Sequence, residues 1–156
     1  VVCIGGNPIG CEKPGWEFNF GNDVEAANTV LHCGGDIWMI PNNVYGTMHI
    51  GFGEIQRRIA PYGEIGRLLY ENLISFFETE NASWSAGESW SLGDSPAVGV
   101  TLEPNCGSFM YCKAPEVQED TSYRYPENSP QIRVYTSINS RFIIEDFISK
   151  LQILYG

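Results

Sequence analysis

Val1-Val2-Cys3-Ile4 is an unbroken apolar run that stops at Gly5-Gly6. A half-exposed strand alternates apolar with polar residues. A run that is apolar at every position suits a strand covered on both faces. Such a strand needs helices on either side of its sheet. The short run ending in glycine therefore points to the strand-to-loop edge of an α/β sheet. No Met or polar lead-in precedes it. It reads as the middle of a buried strand, so the expectation is a piece of a longer α/β domain.

The rest of the chain keeps to that pattern. Residues 7–21 read as a polar loop punctuated by Pro8, Gly10, Pro14-Gly15 and Gly21. Asn22 or Asp23 can cap a helix through Val24–Leu31, which Gly34-Gly35 ends. A strand over 37–40 stops at Pro41, completing a βαβ unit. Residues 42–48 read as loop. Helical spacing returns near 51–60 and over 64–79, with an apolar face of Ile65, Leu68, Leu69, Leu73 and Phe76. Residues 80–93 read as a Ser/Trp/Gly-rich loop. A short apolar helix then opens at Asp94 or Ser95 and ends near Leu102. Strands are expected at 107–112 and 132–138, with a hairpin or edge excursion across Asp120–Pro130 between them. A last helix covers 140–154. The fold class is α/β, an open, mostly parallel but mixed sheet flanked by helices, with 1–156 forming part of a single domain.

Charge excludes several partners. Lys and Arg number 9 against 19 Asp and Glu, giving a formal charge of −10. The only adjacent basic pair is Arg57-Arg58, so no nucleic-acid footprint is present. The apolar runs fall far short of the roughly 20 residues that span a membrane. Five cysteines, odd in number and without a CxxC pair, suit reduced thiols in a cytoplasmic protein. A neutral or cationic small molecule, or a metal cation, suits the charge.

Three groups could carry chemistry. Asp94 stands between a Trp-Ser-Leu-Gly loop and the start of a helix, where free amides stabilise a carboxylate. By itself that is the signature of a structural cap. Glu17 and Asn19 lie two residues apart. In extended chain they would face one way and Phe18 and Phe20 the other. A carboxylate beside a carboxamide can grip sugar hydroxyls. Trp84 and Trp90 lie on a loop, where an indole either stacks on a base or sugar or pins the loop to the core. His32 and His49 are isolated and read as structural. No P-loop, Gly-x-Ser-x-Gly or dinucleotide fingerprint occurs.

The order of these features is informative. Gly5-Gly6, then Glu17-Phe18-Asn19, then Asp23-Val24-Glu25-Ala26-Ala27, and much later Gly93-Asp94-Ser95-Pro96-Ala97-Val98, Ile132-Arg133-Val134-Tyr135 and Arg141–Phe147 follow one another. This resembles the C-terminal half of the inosine–uridine-type nucleoside hydrolases. The resemblance implies one bound calcium ion, with Asp94 as metal ligand and catalytic carboxylate. It implies that Glu17 and Asn19 bind the ribose; Trp84 and Trp90 are candidates for substrate binding from their loop alone. The implied reaction is hydrolysis of the N-glycosidic bond of a ribonucleoside by metal-activated water, through an oxocarbenium-like state. A homodimer or tetramer is also implied. Departures stand beside it. The family's aspartate-rich metal motif does not occur here. Gly93 precedes Asp94 where the family commonly has His, Cys11 stands where Asn is common, and Asn43-Val44-Tyr45 replaces Asp-Val-Thr. With at most one metal carboxylate, the 156 residues alone are expected to be inactive. The alternative is a nucleoside- or sugar-binding protein without catalysis; an acidic structural domain is a third reading.

Overall fold

The computed structural model describes residues 1–83 and 87–156. Two compact units divide it, each built from two stretches of chain. The first comprises Val1–Thr47 and Gly93–Asn139, the second Met48–Leu92 and Ser140–Gly156.

The first unit is built on a four-stranded sheet. Strand β1 (Val2–Ile4) leads through the helices α1 (Phe18–Gly21) and α2 (Val24–Leu31) to β2 (Trp38–Ile40). β1 and β2 are parallel, with Val2 opposite Trp38 and Ile4 opposite Ile40. β2 in turn runs parallel to the late strand β8 (Gln131–Ile138), with Trp38 opposite Arg133. β5 (Gly107–Lys113) closes the other side, antiparallel to β8, giving the order β1-β2-β8-β5. The sheet is thus mixed, mostly parallel and flanked by helices, but β1 lies at its edge and is half-buried, which corrects the buried strand expected from the opening apolar run. α2 starts where expected, because the Asp23 carboxylate accepts the Ala26 amide at 2.8 Å. Period-two alternation puts Ile37, Met39, Ile132 and Val134 on one core, together with Leu31, Phe20 and Val117. The expected excursion is a small hairpin of β6 (Glu116–Val117) and β7 (Tyr123–Arg124). The helix α6 (Ser95–Leu102) packs beside β1.

In the second unit, β3 (His49–Gly51) and β4 (Ser89–Ser91) form an antiparallel ribbon. Three helices accompany it: α4 (Phe52–Arg58), α5 (Gly63–Phe77) and α7 (Ser140–Tyr155). Ile50, Ile55, Ile59, Leu73, Ile148 and Leu151 form the core. Arg58 forks between Glu54 on its own helix and both oxygens of Glu145 on α7, at 2.6–2.7 Å.

Several expectations need correction. Residues 7–21 are not all loop, since α1 occupies the end of that stretch. The 42–48 loop holds the short helix α3 (Asn42–Tyr45). The 80–93 loop contains β4. Single-turn helices, and a three-residue strand such as the Ser-Trp-Ser of β4 that lacks an apolar run, carry too little pattern to be read. On α5, Leu69 and Leu73 join the core, whereas Ile65 and Leu68 are exposed. No helix among the described residues is long and apolar enough to cross a membrane. All five cysteines are free.

Candidate functional site

Glu17 is buried, 2% exposed, and caps α1. The chain is extended at Glu17 alone (φ −107°, ψ 124°) and turns helical at the next residue. This corrects the extended Glu17–Asn19 geometry expected from the spacing. Phe18 points outward at 63% exposure while Phe20 is buried, so the two rings do not share a face. The capping preference of a carboxylate has overridden the two-residue alternation. Asn19 is half-buried, and its Cβ lies against Gly5.

Four donors converge on the Glu17 carboxylate. Oε2 accepts the Gly6 amide at 2.7 Å and the Phe20 amide at 2.9 Å. Oε1 accepts the Asn19 amide at 3.1 Å and the Tyr45 hydroxyl at 2.6 Å. A buried carboxylate is tolerated when its lone pairs are satisfied in this way. The loop carrying it is held from the other side by Thr121. The Thr121 hydroxyl accepts the Glu17 amide at 2.8 Å and donates to the Gly15 carbonyl at 3.2 Å. Thr121 is buried and left-handed (φ 62°), which is strained for a β-branched residue. The hairpin around 115–130, which carries no site motif in the sequence, therefore fixes the Glu17 loop.

Tyr45 links the two sequence motifs. It is the last residue of α3. Its phenol pKa is raised, first by burial, then by the bond to Glu17 and the charges of Glu17 and Asp94. The hydroxyl thus lies within the field of both carboxylates. Asp94 occupies the N-cap position of α6 but makes no side-chain capping bond. Its backbone is already right-handed helical (φ −86°, ψ −17°), not extended as a capping residue requires. The expected structural cap is therefore not formed. The carboxylate is exposed beside the positive end of an eight-residue helix.

The residues present do not by themselves fit a calcium ion, which takes about six to eight oxygen ligands. Among the described residues, no three His, Cys, Asp or Glu side chains come together to hold a metal. Glu17 has its acceptors filled, and Asp94 is a single carboxylate. Trp90 lies on β4, not on a loop, and packs edge-on against Phe76 and Phe77 at 5.4 and 5.6 Å within the second unit. Trp84 lies outside the described residues. His32 holds the Pro115 carbonyl at 3.1 Å, a structural contact as expected. Sequence reasoning missed Tyr45 as a site residue, although Asn43-Val44-Tyr45 stood out as a departure from the family pattern.

The elements and their topology define an α/β protein, a mixed, mostly parallel sheet flanked by helices. The order of elements and the matching family model then identify the family. The model of the inosine-uridine preferring nucleoside hydrolases matches residues 1–144, and the chain belongs to that family. This corrects the expected restriction of the likeness to the family's C-terminal half. The match follows nearly the whole order of elements, from β1 into α7, not the two motifs alone. Among solved structures, a plant nucleoside hydrolase is similar with a TM-score of 0.75 and 16% identity, over 97% of this chain and 51% of its own. A purine-preferring ribonucleoside hydrolase from Gardnerella vaginalis gives 0.73 and 16%, over 99% and 50%. An inosine-guanosine nucleoside hydrolase gives 0.60 and 12%, over 85% and 44%. At these identities the likeness establishes the fold. The chain spans about half the length of the first two structures. No curated protein matches at a significant level.

Proposed function

We propose that the protein carrying this chain hydrolyses the N-glycosidic bond of ribonucleosides, releasing ribose and free base. The observation that carries the reading is Asp94, a carboxylate uncommitted to its own helix, in a chain that belongs to the nucleoside hydrolase family. Cleavage develops positive charge on the sugar, and a fixed carboxylate stabilises it electrostatically. Glu17 and Asn19 are assigned to the ribose, and Glu17 is held rigid for that task by three backbone amides. Calcium remains an expectation that the described residues do not meet alone, and no step here is routed through it. The test is ribose release from inosine, uridine and nitrophenyl riboside, with calcium supplied, by the protein at its natural length. Failure to cleave any of them sinks the reading.

A second reading, binding of a nucleoside or sugar without turnover, is favoured by Gly93 before Asp94 and by Cys11, which stand in place of chemically active neighbours. Calorimetric riboside binding with no ribose released would select it.

A further inference from the structure

We propose that Tyr45 is an internal competitor for ligand, its phenol occupying on Glu17 the acceptor position that a sugar hydroxyl would otherwise take. The inference rests on the riboside reading above and deepens it.

The four donors to Glu17 are not equivalent. Three are backbone amides, of Gly6, Asn19 and Phe20, fixed by the end of β1 and the first turn of α1. None can leave without unfolding the cap. The fourth is a side-chain hydroxyl, from Tyr45, at 2.6 Å. A change of rotamer removes it. A phenol and a sugar alcohol offer the same O–H donor to a carboxylate. What leaves when Tyr45 turns away is therefore what a sugar hydroxyl would restore.

Two further observations support this placement. Glu17 is 2% exposed, so a ligand gains its Oε1 only if the group covering it moves. Tyr45 is itself half-buried and is the last residue of a helix of four residues. The charges of both Glu17 and Asp94 bear on the phenol. A hydroxyl that replaced it would be received by Glu17. In place, Tyr45 makes every sugar compete with an internal charge-assisted bond. It thereby lowers the affinity for every such ligand by the strength of that bond.

The experiment compares the wild-type protein at its natural length, calcium supplied, with its Tyr45→Ala and Tyr45→Phe variants. Calorimetry is run with uridine and with ribitol, a polyol lacking base and glycosidic bond. Ribose release is followed in parallel. Tyr45→Ala, which removes both hydroxyl and ring, is expected to bind both probes about tenfold more tightly, the worth of one regained charge-assisted bond. Tyr45→Phe frees the acceptor but leaves it covered, and should gain less. If Tyr45→Ala binds both probes no better than wild type, the proposal is overturned. Should that variant fail to fold, Tyr45→Phe decides, and unchanged or weaker binding overturns it. Gain for ribitol with no riboside cleaved by any variant sinks the hydrolase reading and upholds the role of Tyr45. Riboside cleavage with KM unchanged in both variants sinks the role of Tyr45 and leaves the hydrolase reading standing. A merely structural Tyr45 would lower stability without lowering KM.

Discussion

The backbone amide of Gly6 donates to Glu17 Oε2 at 2.7 Å, tying the end of the first strand to the cap of the first helix. The approach depends on glycine. Gly6 sits at φ +86°, and a Cβ there would lie 2.3 Å from the Tyr123 hydroxyl, 2.5 Å from Met39 Cε and 2.6 Å from the Phe20 ring. Met39 and Phe20 belong to the core, so they have little room to give. Gly6→Ala is expected to destabilise the chain by about 3 kcal/mol, combining backbone strain with overpacking. Urea unfolding would measure it. A loss below about 1 kcal/mol would mean that the loop relaxes freely, which the close contacts contradict.

Glu17→Gln keeps the shape but turns one acceptor oxygen into an N–H donor. That donor would face a backbone amide or the Tyr45 hydroxyl. The expected cost is about 2–4 kcal/mol, from leaving buried donors unpaired. Glu17→Ala should cost at least as much. If both variants unfold with the wild-type midpoint, the cap is not what holds this loop.

These two residues also mark what was legible in the sequence. The strand ending at Gly5-Gly6, the Asp23-capped helix and the late strands were readable from an apolar run, a capping residue or a period; the burial of the first strand was not, since β1 lies at the sheet edge and is half-buried. The mixed sheet follows from them. The role of Glu17 was read less well. Its spacing from Asn19 suggested an extended pair, yet the carboxylate instead binds amides two and three residues on. That choice depends on Gly6 and Tyr45, which are distant in sequence, so no local pattern reveals it. Thr121 was invisible for the same reason, since its left-handed backbone and its bonds to Gly15 and Glu17 span more than a hundred residues. Trp90 looked like a loop aromatic because a three-residue strand shows no alternation.

Asp23 and Asp94 both stand at helix N-caps, and only Asp23 bonds to its helix. Asp23→Ala should therefore cost about 1 kcal/mol of stability. Asp94→Ala should stay within about 0.5 kcal/mol of wild type. In the protein at natural length the ranking reverses for ribose release, with Asp94→Ala abolishing it and Asp23→Ala sparing it. Thermal melts alongside the activity assay separate the two. A large stability loss in Asp94→Ala would show that its carboxylate is committed to the fold after all.

The cysteines offer a probe of the same structure. Cys11 and Cys33 are exposed, whereas Cys106 is buried. Burial pushes the Cys3 thiol up to about 11, and raises Cys106 and Cys112 as well. Thiolate is the reactive form, so at mildly alkaline pH the raised groups present little of it. Alkylation of the native chain should label Cys11 and Cys33 first, with the other three labelled only on adding denaturant. Peptide mass mapping reads the order. Early labelling of Cys3 would place β1 in a looser setting than the sheet described here.

The fork from Arg58 to Glu145 gives a pH signature confined to the second unit. The hydrogen bonds and charge of Arg58 hold the Glu145 carboxyl below its ordinary value of 4.5. A carboxylate with a depressed folded pKa stabilises the fold fully above its unfolded pKa and loses that contribution as pH falls through the folded value. Arg58 stays charged throughout, so Glu145 sets the window. Glu145→Gln should thus unfold at lower urea than wild type at neutral pH, with the two midpoints merging as pH falls below the ordinary glutamate range. Both side chains are a third or more exposed, 35% and 42%, so added salt should shrink the difference at neutral pH. A gap that persisted unchanged in acid would assign the effect to packing of the Glu145 stem on α7 instead of to its charge.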